Sequence, residues 1–248
     1  MTCRKIFRFL VIPIAIAISA PLALATTITI DFSDFGPDEE GGDLGSSTFE
    51  GTGVTASGLW KDGAIWKPAN LYVRNQTNDH GFGVCSPADD PPCPGPDGGG
   101  DWNELDNAGA PELIRLALDL DEGFQWISVQ LSSLDDNDDG EPDLEFGRLW
   151  ADLDGNPDSF DFPIDPNPLW KFQGHETNVE PSFDIPDGAA SAPFLFFEPI
   201  DWRTNGDNTN NDFLVYQVTI EQTRVAEPTA IGLLGIGLLA LRRTRRRR

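Results

Sequence analysis

The stretch Leu214-Val215-Tyr216-Gln217-Val218-Thr219-Ile220 has a large apolar residue at every second position, beginning with Leu214. In a β-strand, successive side chains point to opposite faces of the sheet, so these four residues are predicted to share one buried face. The same period recurs in two further segments, at Ile114, Leu116 and Leu118 and at Ile127, Val129 and Leu131. The pattern predicts strands with one buried face.

Turn-forming residues separate these segments, since the chain contains 25 glycines and 20 prolines. Further strands are predicted at Thr27–Phe32, Thr48–Ala56, Leu71–Arg74, Leu144–Trp150 and Phe194–Phe197. No segment keeps a helical period over the length of an ordinary helix. Many short strands without helices predict an all-β fold, an antiparallel β-sandwich of jelly-roll type, in one domain over residues 26–224.

The N-terminus has the features of a secretory signal peptide. Arg4, Lys5 and Arg8 precede an apolar stretch that runs from residue 9 to 24 and ends in Ala23-Leu24-Ala25. A basic region, an apolar region and an A-x-A site in this order predict cleavage after residue 25. We therefore expect residues 1–25 to be removed and the rest of the chain to be exported.

The C-terminus predicts a short membrane anchor. Val225-Ala226-Glu227-Pro228 is followed by an apolar run from Thr229 to Leu241 and then by six arginines within residues 242–248. At about 1.5 Å per helical residue the run covers about 20 Å, less than the hydrocarbon core of about 30 Å, so it needs its flanks to span. Because arginines stay on the cytoplasmic side, the C-terminus is predicted inside and the main body outside.

This ending resembles the PEP-CTERM sorting signal of exported bacterial proteins, a Val-Pro-Glu-Pro motif followed by an apolar helix and an arginine cluster. Val225, Glu227 and Pro228 match the motif, whereas Ala226 departs from it. Blocks of the body at 81–85, 102–106, 112–116 and 211–215 look like the bodies of many such proteins. The resemblance implies an exosortase-type membrane protease as a partner. It also implies delivery to the cell surface or extracellular matrix, after anchoring of residues 225–248 in the cytoplasmic membrane.

Charge excludes one class of partner. All 41 acidic residues lie between Asp31 and Glu227, whereas only eight basic residues do, which leaves a formal net charge of −33 for that segment. The eight are Lys61, Lys67, Arg74, Arg115, Arg148, Lys171, Arg203 and Arg224. A phosphate backbone is repelled by such a body, so nucleic acid is not an expected partner. Divalent cations or simple solvation of a secreted surface fit the charge.

The cysteines predict one disulfide. Cys3 leaves with the signal peptide, so Cys85 and Cys93 are the only pair in an oxidising compartment. A bridge between them closes a proline-rich loop and stabilises the fold by about 2–3 kcal/mol in the chain-entropy model. We expect a structural staple.

Catalytic motifs are sparse. The chain has no G-x-S-x-G motif, and its two histidines, His80 and His175, lie apart and do not form H-E-x-x-H. A glycosidase needs two facing carboxyl groups, which 41 acidic residues provide by chance alone. Glu104, Asp106 and Glu112 are the carboxylates to watch, beside Trp102, whose indole is the candidate sugar contact.

The strongest local chemical pattern is the acidic stretch that begins at residue 135. Asp135, Asn137 and Asp139, followed by Gly140, match positions 1, 3, 5 and 6 of a calcium-binding loop, in which oxygen side chains converge around a sharp turn. The twelfth position is Phe146, so Glu145 or a neighbour has to supply the last oxygen. A second cluster at 152–158 has similar chemistry. The sequence leaves calcium binding and a solvated acidic turn as alternatives for both.

The sequence thus gives three functional hypotheses in order. The first is a non-catalytic, exported surface or matrix protein that associates with exopolysaccharide. The second is a carbohydrate-binding module with structural calcium. The third is an extracellular polysaccharide-active enzyme. Exposed tryptophans that line one concave face are the feature that favours the second over the first, and the third needs two carboxylates in a cleft about 5–10 Å apart.

Overall fold

The structure is a computed structural model. It describes residues 25–35, 43–45, 47–49, 52–76, 79–86, 105–106, 110–134, 145–158, 168–174, 180–200 and 212–222. All of them lie in one compact unit, Ala25–Arg224. The predicted signal peptide, apart from its last residue, Ala25, and the predicted sorting tail lie outside the described residues.

The described chain is all-β, as the alternating segments predict, and its strands pair antiparallel. The strands are β1 (Thr26–Asp31), β2 (Asp43–Gly45), β3 (Ser47–Phe49), β4 (Val54–Asp62), β5 (Ile65–Gln76), β6 (Asp79–Cys85), β7 (Leu105–Asp106), β8 (Glu112–Leu118), β9 (Phe124–Ser132), β10 (Phe146–Asp152), β11 (Trp170–Gln173), β12 (Ser182–Asp184), β13 (Phe194–Pro199) and β14 (Asp212–Gln222). Single 3₁₀ turns occupy Phe32–Phe35 and Leu120–Glu122. Within the described ranges, no helix is long and apolar enough to cross a membrane.

The main path of the sheet runs β11-β10-β13-β8-β4-β5-β6-β14-β9-β12, with β1, β2, β3 and β7 attached beside it. The long strand β5 joins its two halves. Residues 65–69 of β5 pair with β4, and residues 70–76 pair with β6. The sheet bends at β5, because the two parts of this strand pair with different neighbours and each half of the sheet has its own twist.

The sheet is nearly closed into a barrel-like shape. The two ends of its path, β11 and β12, meet through side chains. The ring centroid of Trp170 lies 5.8 Å from that of Phe183, and Phe172 lies 5.4 Å from the same ring. The Trp170 indole also donates to the backbone oxygen of Asp184 at 2.8 Å. We call this contact between β11 and β12 the seam.

The interior is filled by side chains from both halves of the sheet. Phe32 stacks on Phe82 with centroids 4.6 Å apart, and both are fully buried. Trp126 is also fully buried, and its indole donates to the backbone oxygen of Ala192 at 2.8 Å. A buried indole N–H needs such a partner, since leaving it unpaired costs about 1–3 kcal/mol.

Most predicted strands are confirmed, but one predicted strand corresponds to two strands in the structure. The predicted strand Thr48–Ala56 is a hairpin of β3 and β4, with Phe49 paired to Val54. Gly53, in the connecting turn, has a φ of 69°. That left-handed conformation favours glycine and ends the extended segment.

The pairing of β9 with β14 shifts register twice, leaving Ile127 of β9 and Tyr216 of β14 without an opposite residue. The prediction that Ile127 shares a face with Val129 and Leu131 is therefore wrong, because a β-bulge moves it to one side. Trp126 takes its place in the core, fully buried. Tyr216 is likewise only partly buried.

Candidate functional site

Many of the residues singled out in the sequence lie outside the described residues. They are Trp102 and Glu104, the calcium candidates Asp135, Asn137 and Asp139, the cysteine Cys93, His175, and the sorting-motif residues Val225, Glu227 and Pro228. Their roles stay predictions.

Four of the singled-out residues lie at strand boundaries in the described part, among them Asp106, the last residue of β7. Cys85 is the last residue of β6 and is disulfide-bonded, to a cysteine outside the described residues. Glu145 directly precedes β10, and its backbone oxygen accepts from the amide of Gly174 at 2.8 Å. Glu112 is 1% exposed at the start of β8, where it faces Trp60 of β4.

The second acidic cluster forms a turn after β10. Asp152 accepts from the amide of Gly155 at 2.6 Å, and Asp154 accepts from the amide of Asn156 at 2.8 Å. Asn156 in turn accepts from the amide of Asp158 at 3.1 Å. These side-chain oxygens shape the turn by bonding its backbone. In the described part of the chain, no group of three His, Cys, Asp or Glu side chains is arranged to hold a metal ion.

On the side of β4, β8, β13 and β10 that faces away from the main core, aromatic and charged side chains pack around a second, smaller apolar cluster, of which Leu59, Leu113 and Phe196 are buried. Cross-strand pairing places Leu59 beside Leu113, and Phe196 between Arg115 and Trp150. We call this surface the outer face and define it by Leu59, Lys61, Trp66, Leu113, Arg115, Arg148, Trp150, Phe194, Phe196 and Glu198. Its apolar members form a cluster separate from the main core.

Three of the eight basic residues of the body stand over aromatic rings of the outer face. The Lys61 ammonium lies 5.0 Å from the Trp66 ring centroid, and the Arg148 guanidinium lies 5.3 Å from that of Trp150. The Arg115 guanidinium lies 5.8 Å from the ring of Phe194. Such cation–π contacts contribute about 0.5–2 kcal/mol, depending on desolvation.

Carboxylates pair with two of these cations. Glu198 is 3.0 Å from the Arg148 Nε and accepts from the Trp150 indole at 3.0 Å. Lys61 Nζ is 3.8 Å from the Asp158 carboxylate. The acidic turn after β10 therefore lies against the outer face, where Asp158 is paired with Lys61.

Arg115 has neutral partners instead. Its Nε donates to the Ser57 hydroxyl at 3.2 Å, and its Nη1 donates to the backbone oxygen of Gly155 at 3.3 Å. Burial lowers the pKa of its guanidinium, because desolvation disfavours the charged form. Arg115 thus ties the turn to the sheet.

A cleft of about 300 Å³ opens at one end of the outer face. Lys61 and Trp66 of the β4–β5 hairpin line it, together with Glu112 at the start of β8 and with Glu198 and Ile200 at the end of β13. A second cleft, of about 530 Å³, lies beside the bulge at Ile127. Among the described tryptophans, Trp66 alone lines the smaller cleft.

A polar cluster surrounds the other bulge. The rings of Tyr216 and His80 lie 5.2 Å apart, and His80 Nε2 is 3.8 Å from the Glu180 carboxylate. Burial raises the pKa of the Tyr216 hydroxyl, and the charge of Asp31 raises it further. This cluster was not predicted from the sequence, because the bulge beside it is set by the register between two paired strands and cannot be recognised in one strand alone.

The outer face was also missed. A signal for part of it exists in Trp60-Lys61-Asp62-Gly63-Ala64-Ile65-Trp66-Lys67, where two Trp-Lys pairs flank a hairpin turn. The hairpin sets Trp60 opposite Lys67 and Lys61 opposite Trp66. Aspartate followed by glycine is a known hairpin signal, so this register was within reach of the sequence.

Comparison with known proteins does not identify a family for this chain. No protein-family model matches the chain, and neither a curated protein nor a solved structure is found to be similar to it.

Proposed function

We propose that the protein is a non-catalytic, exported surface or matrix protein, sorted by the PEP-CTERM route, whose body contacts exopolysaccharide. The two ends of the sequence support export and sorting. The outer face supports carbohydrate contact, and it is the single observation that carries this part of the proposal. Trp66 and Trp150 lie on it beside Lys61, Arg148 and Glu198.

The chemistry of the outer face suits sugars. An indole offers an apolar surface for the C–H groups of a pyranose ring, while nearby charged groups hydrogen-bond its hydroxyls. On the outer face each tryptophan has a cation within 5.5 Å of its ring centroid, and Trp150 also has a carboxylate partner.

The absence of catalysis is part of the proposal. A glycosidase sets two carboxyl groups across the scissile bond, one of them as an acid. On the outer face, Glu198 is held between Arg148 and Trp150. This pairing supports a structural role for Glu198 and argues against a role in proton transfer.

The second candidate is a carbohydrate-binding module with structural calcium. The observation that favours it is the position of the acidic stretch, since β9 ends at Ser132 and β10 begins at Phe146. In the sequence, Asp135, Asn137, Asp139 and Glu145 fall between these two strands, and a calcium ion bound by them would offset repulsion between carboxylates.

We also propose the jelly-roll sandwich as the finer description of the fold. The division of β5 between the partners β4 and β6 supports two facing half-sheets joined at a corner.

Deletion of residues 229–248 tests the sorting proposal. In a bacterial host that contains an exosortase, we expect the full chain to be found in the membrane fraction before it is processed. The truncated chain is expected to be absent from that fraction, because the apolar run is the anchor. Quantitative fractionation is the measurement, and a variant with the arginines at 245–248 replaced by glutamine is a partial control. Identical fractionation of full and truncated chains would refute the sorting route.

A further inference from the structure

The second cleft lies between β9 and the segment that begins at the end of β12. Its volume of about 530 Å³ falls within the range of ligand pockets. On one side it is lined by Gln125, Trp126 and Ile127, and on the other by residues of the segment 184–190. None of these residues belongs to the strands that carry the outer face, so the second cleft is a separate feature.

Apolar side chains form part of the lining of this cleft. The register shift in β9 leaves Ile127 without an opposite residue, and its side chain is only partly buried. Ile185 lines the cleft beside it, and the amide of Ile185 donates to the backbone oxygen of Ile127 at 2.8 Å. The amide of Trp126 donates to the backbone oxygen of Ala190 at 2.8 Å. These two hydrogen bonds hold both sides of the cleft together without a ligand.

Two carboxylates complete the lining. Asp184 and Asp187 are both exposed, and the hydrogen bonds that they accept from Trp170 and Ala190 go to their backbone oxygens. Among the described residues, no lysine, arginine or histidine forms an ion pair with either carboxylate. The Gln125 amide donates to the Glu221 carboxylate at 2.9 Å, which brings a third negative charge close to the cleft.

The lining indicates which cations suit the cleft. A metal ion is bound by several converging oxygens, and the described part of the chain holds no group of three side chains arranged for one. An organic ammonium ion fits better, since its charge can pair with a carboxylate while its hydrocarbon part contacts Ile127. Trp170, which is 37% exposed, reaches Asp184 through its indole N–H and adds an aromatic surface beside the cleft. Such a surface suits a sugar ring.

We propose that the second cleft binds one amino-sugar unit of a cationic polysaccharide. The ammonium group pairs with Asp184 and Asp187, and the C–H groups of the pyranose ring lie on Ile127. Neighbouring sugar units pass along the exposed part of Trp170. The inference goes beyond the proposed function, because this site and the outer face lie on different strands and each can bind without the other.

Isothermal titration of the full chain with the trisaccharide of glucosamine tests this inference. A pH of about 5.5 keeps aspartate ionised, and salt at about 0.15 M screens the general attraction between a cation and the acidic body. We expect the N-acetylated trisaccharide, which has no charge, to bind about tenfold more weakly or less. Asp184→Asn and Asp187→Asn are each expected to lower affinity by about fivefold.

Asp34→Asn is the matched control for these two variants. It removes the same charge from an exposed position that does not line the cleft, so it is expected to change affinity little. Ile127→Ala tests the contact with the ring. It is expected to weaken binding of the trisaccharide and to leave binding of spermidine, which has ammonium groups but no ring, unchanged. Thermal melting establishes that each variant folds.

Each other outcome overturns a stated part of the inference. An Asp34→Asn chain that loses as much affinity as Asp187→Asn overturns the cleft, because the attraction is then a property of the whole body. Equal binding of the N-acetylated trisaccharide, or of spermidine, overturns the amino-sugar class. No binding of the glucosamine trisaccharide overturns the site, while binding of an uncharged polysaccharide to the outer face is unaffected by that result.

Discussion

Single residues show how tightly this fold is packed. A Cβ added to Gly147 of β10 would lie 2.8 Å from the ring of Phe213 and closer still to that of Phe172. These two rings meet edge to face with centroids 5.0 Å apart, and both are buried, so neither can withdraw. Glycine at 147 is therefore required by space.

Gly147→Ala is expected to lower the free energy of unfolding by about 1–3 kcal/mol, the usual cost of overpacking a core. Gly63→Ala is the control. Gly63 has a φ of 64° but nothing within 4 Å of an added Cβ, so only backbone strain of about 1 kcal/mol applies. Denaturant unfolding measures both. A Gly147→Ala chain as stable as the unmodified one would contradict the packing.

Tyr216 shows how a bulge changes the chemistry of a residue. Its hydroxyl pKa is raised above the ordinary 10.0 by burial and by Asp31. A pKa raised in the folded state means that the folded chain keeps the proton longer than the unfolded chain. The associated stability is complete below pH 10 and is lost as the pH rises through the folded-state pKa.

Ultraviolet titration of tyrosinate, as the difference between the unmodified chain and Tyr216→Phe, measures this pKa. Asp31→Asn is expected to shift the titration toward lower pH, because it removes a nearby negative charge. Asp34→Asn is the control, since Asp34 is a neighbouring exposed carboxylate that does not contribute to the shift. Equal shifts from both variants would show a general charge effect in place of the local contact.

At the scale of elements, the seam holds the two ends of the sheet together without backbone pairing. β11 pairs with β10, and β12 pairs with β9. The contacts of Trp170 with Phe183 and Asp184 bridge the gap. Trp170 is 37% exposed, so part of this large side chain is still open to water.

Trp170→Ala is expected to loosen the seam and speed amide hydrogen exchange in Ser182–Asp184, because the aromatic contact and one hydrogen bond are lost. Ile65→Ala is the control, since Ile65 is 64% exposed at the tip of a hairpin. Exchange by mass spectrometry measures the effect. Unchanged exchange in β12 would mean that the seam does not hold the edge strands.

The elements also show what sequence patterns can predict. Strands such as β8 were predicted because Ile114, Leu116 and Leu118 alternate without interruption. The bulges at Ile127 and Tyr216 were not predicted from the sequence. A bulge is an extra residue on one strand relative to its partner, so it can be recognised only when the register between the two strands is known. The seam was not predicted either, because it joins two strands, β11 and β12, that do not pair with each other.

At the scale of the whole molecule, the outer face exists only because of strand order. Trp66 and Trp150 are far apart in sequence, and the order β10-β13-β8-β4-β5 brings them to one surface. The adjacent strands lie about 4.8 Å apart, so this surface crosses about 20 Å. The order itself cannot be read from the periodicity of single strands.

Binding and cleavage of a polysaccharide can be measured in one experiment. The purified full chain is mixed with an insoluble, uncharged polysaccharide, the bound protein is quantified by sedimentation, and new reducing ends are assayed in the supernatant. We expect binding that saturates, with no reducing ends released. Release of reducing ends would make the protein an enzyme, and the absence of binding to any polysaccharide would contradict the function proposed for the outer face.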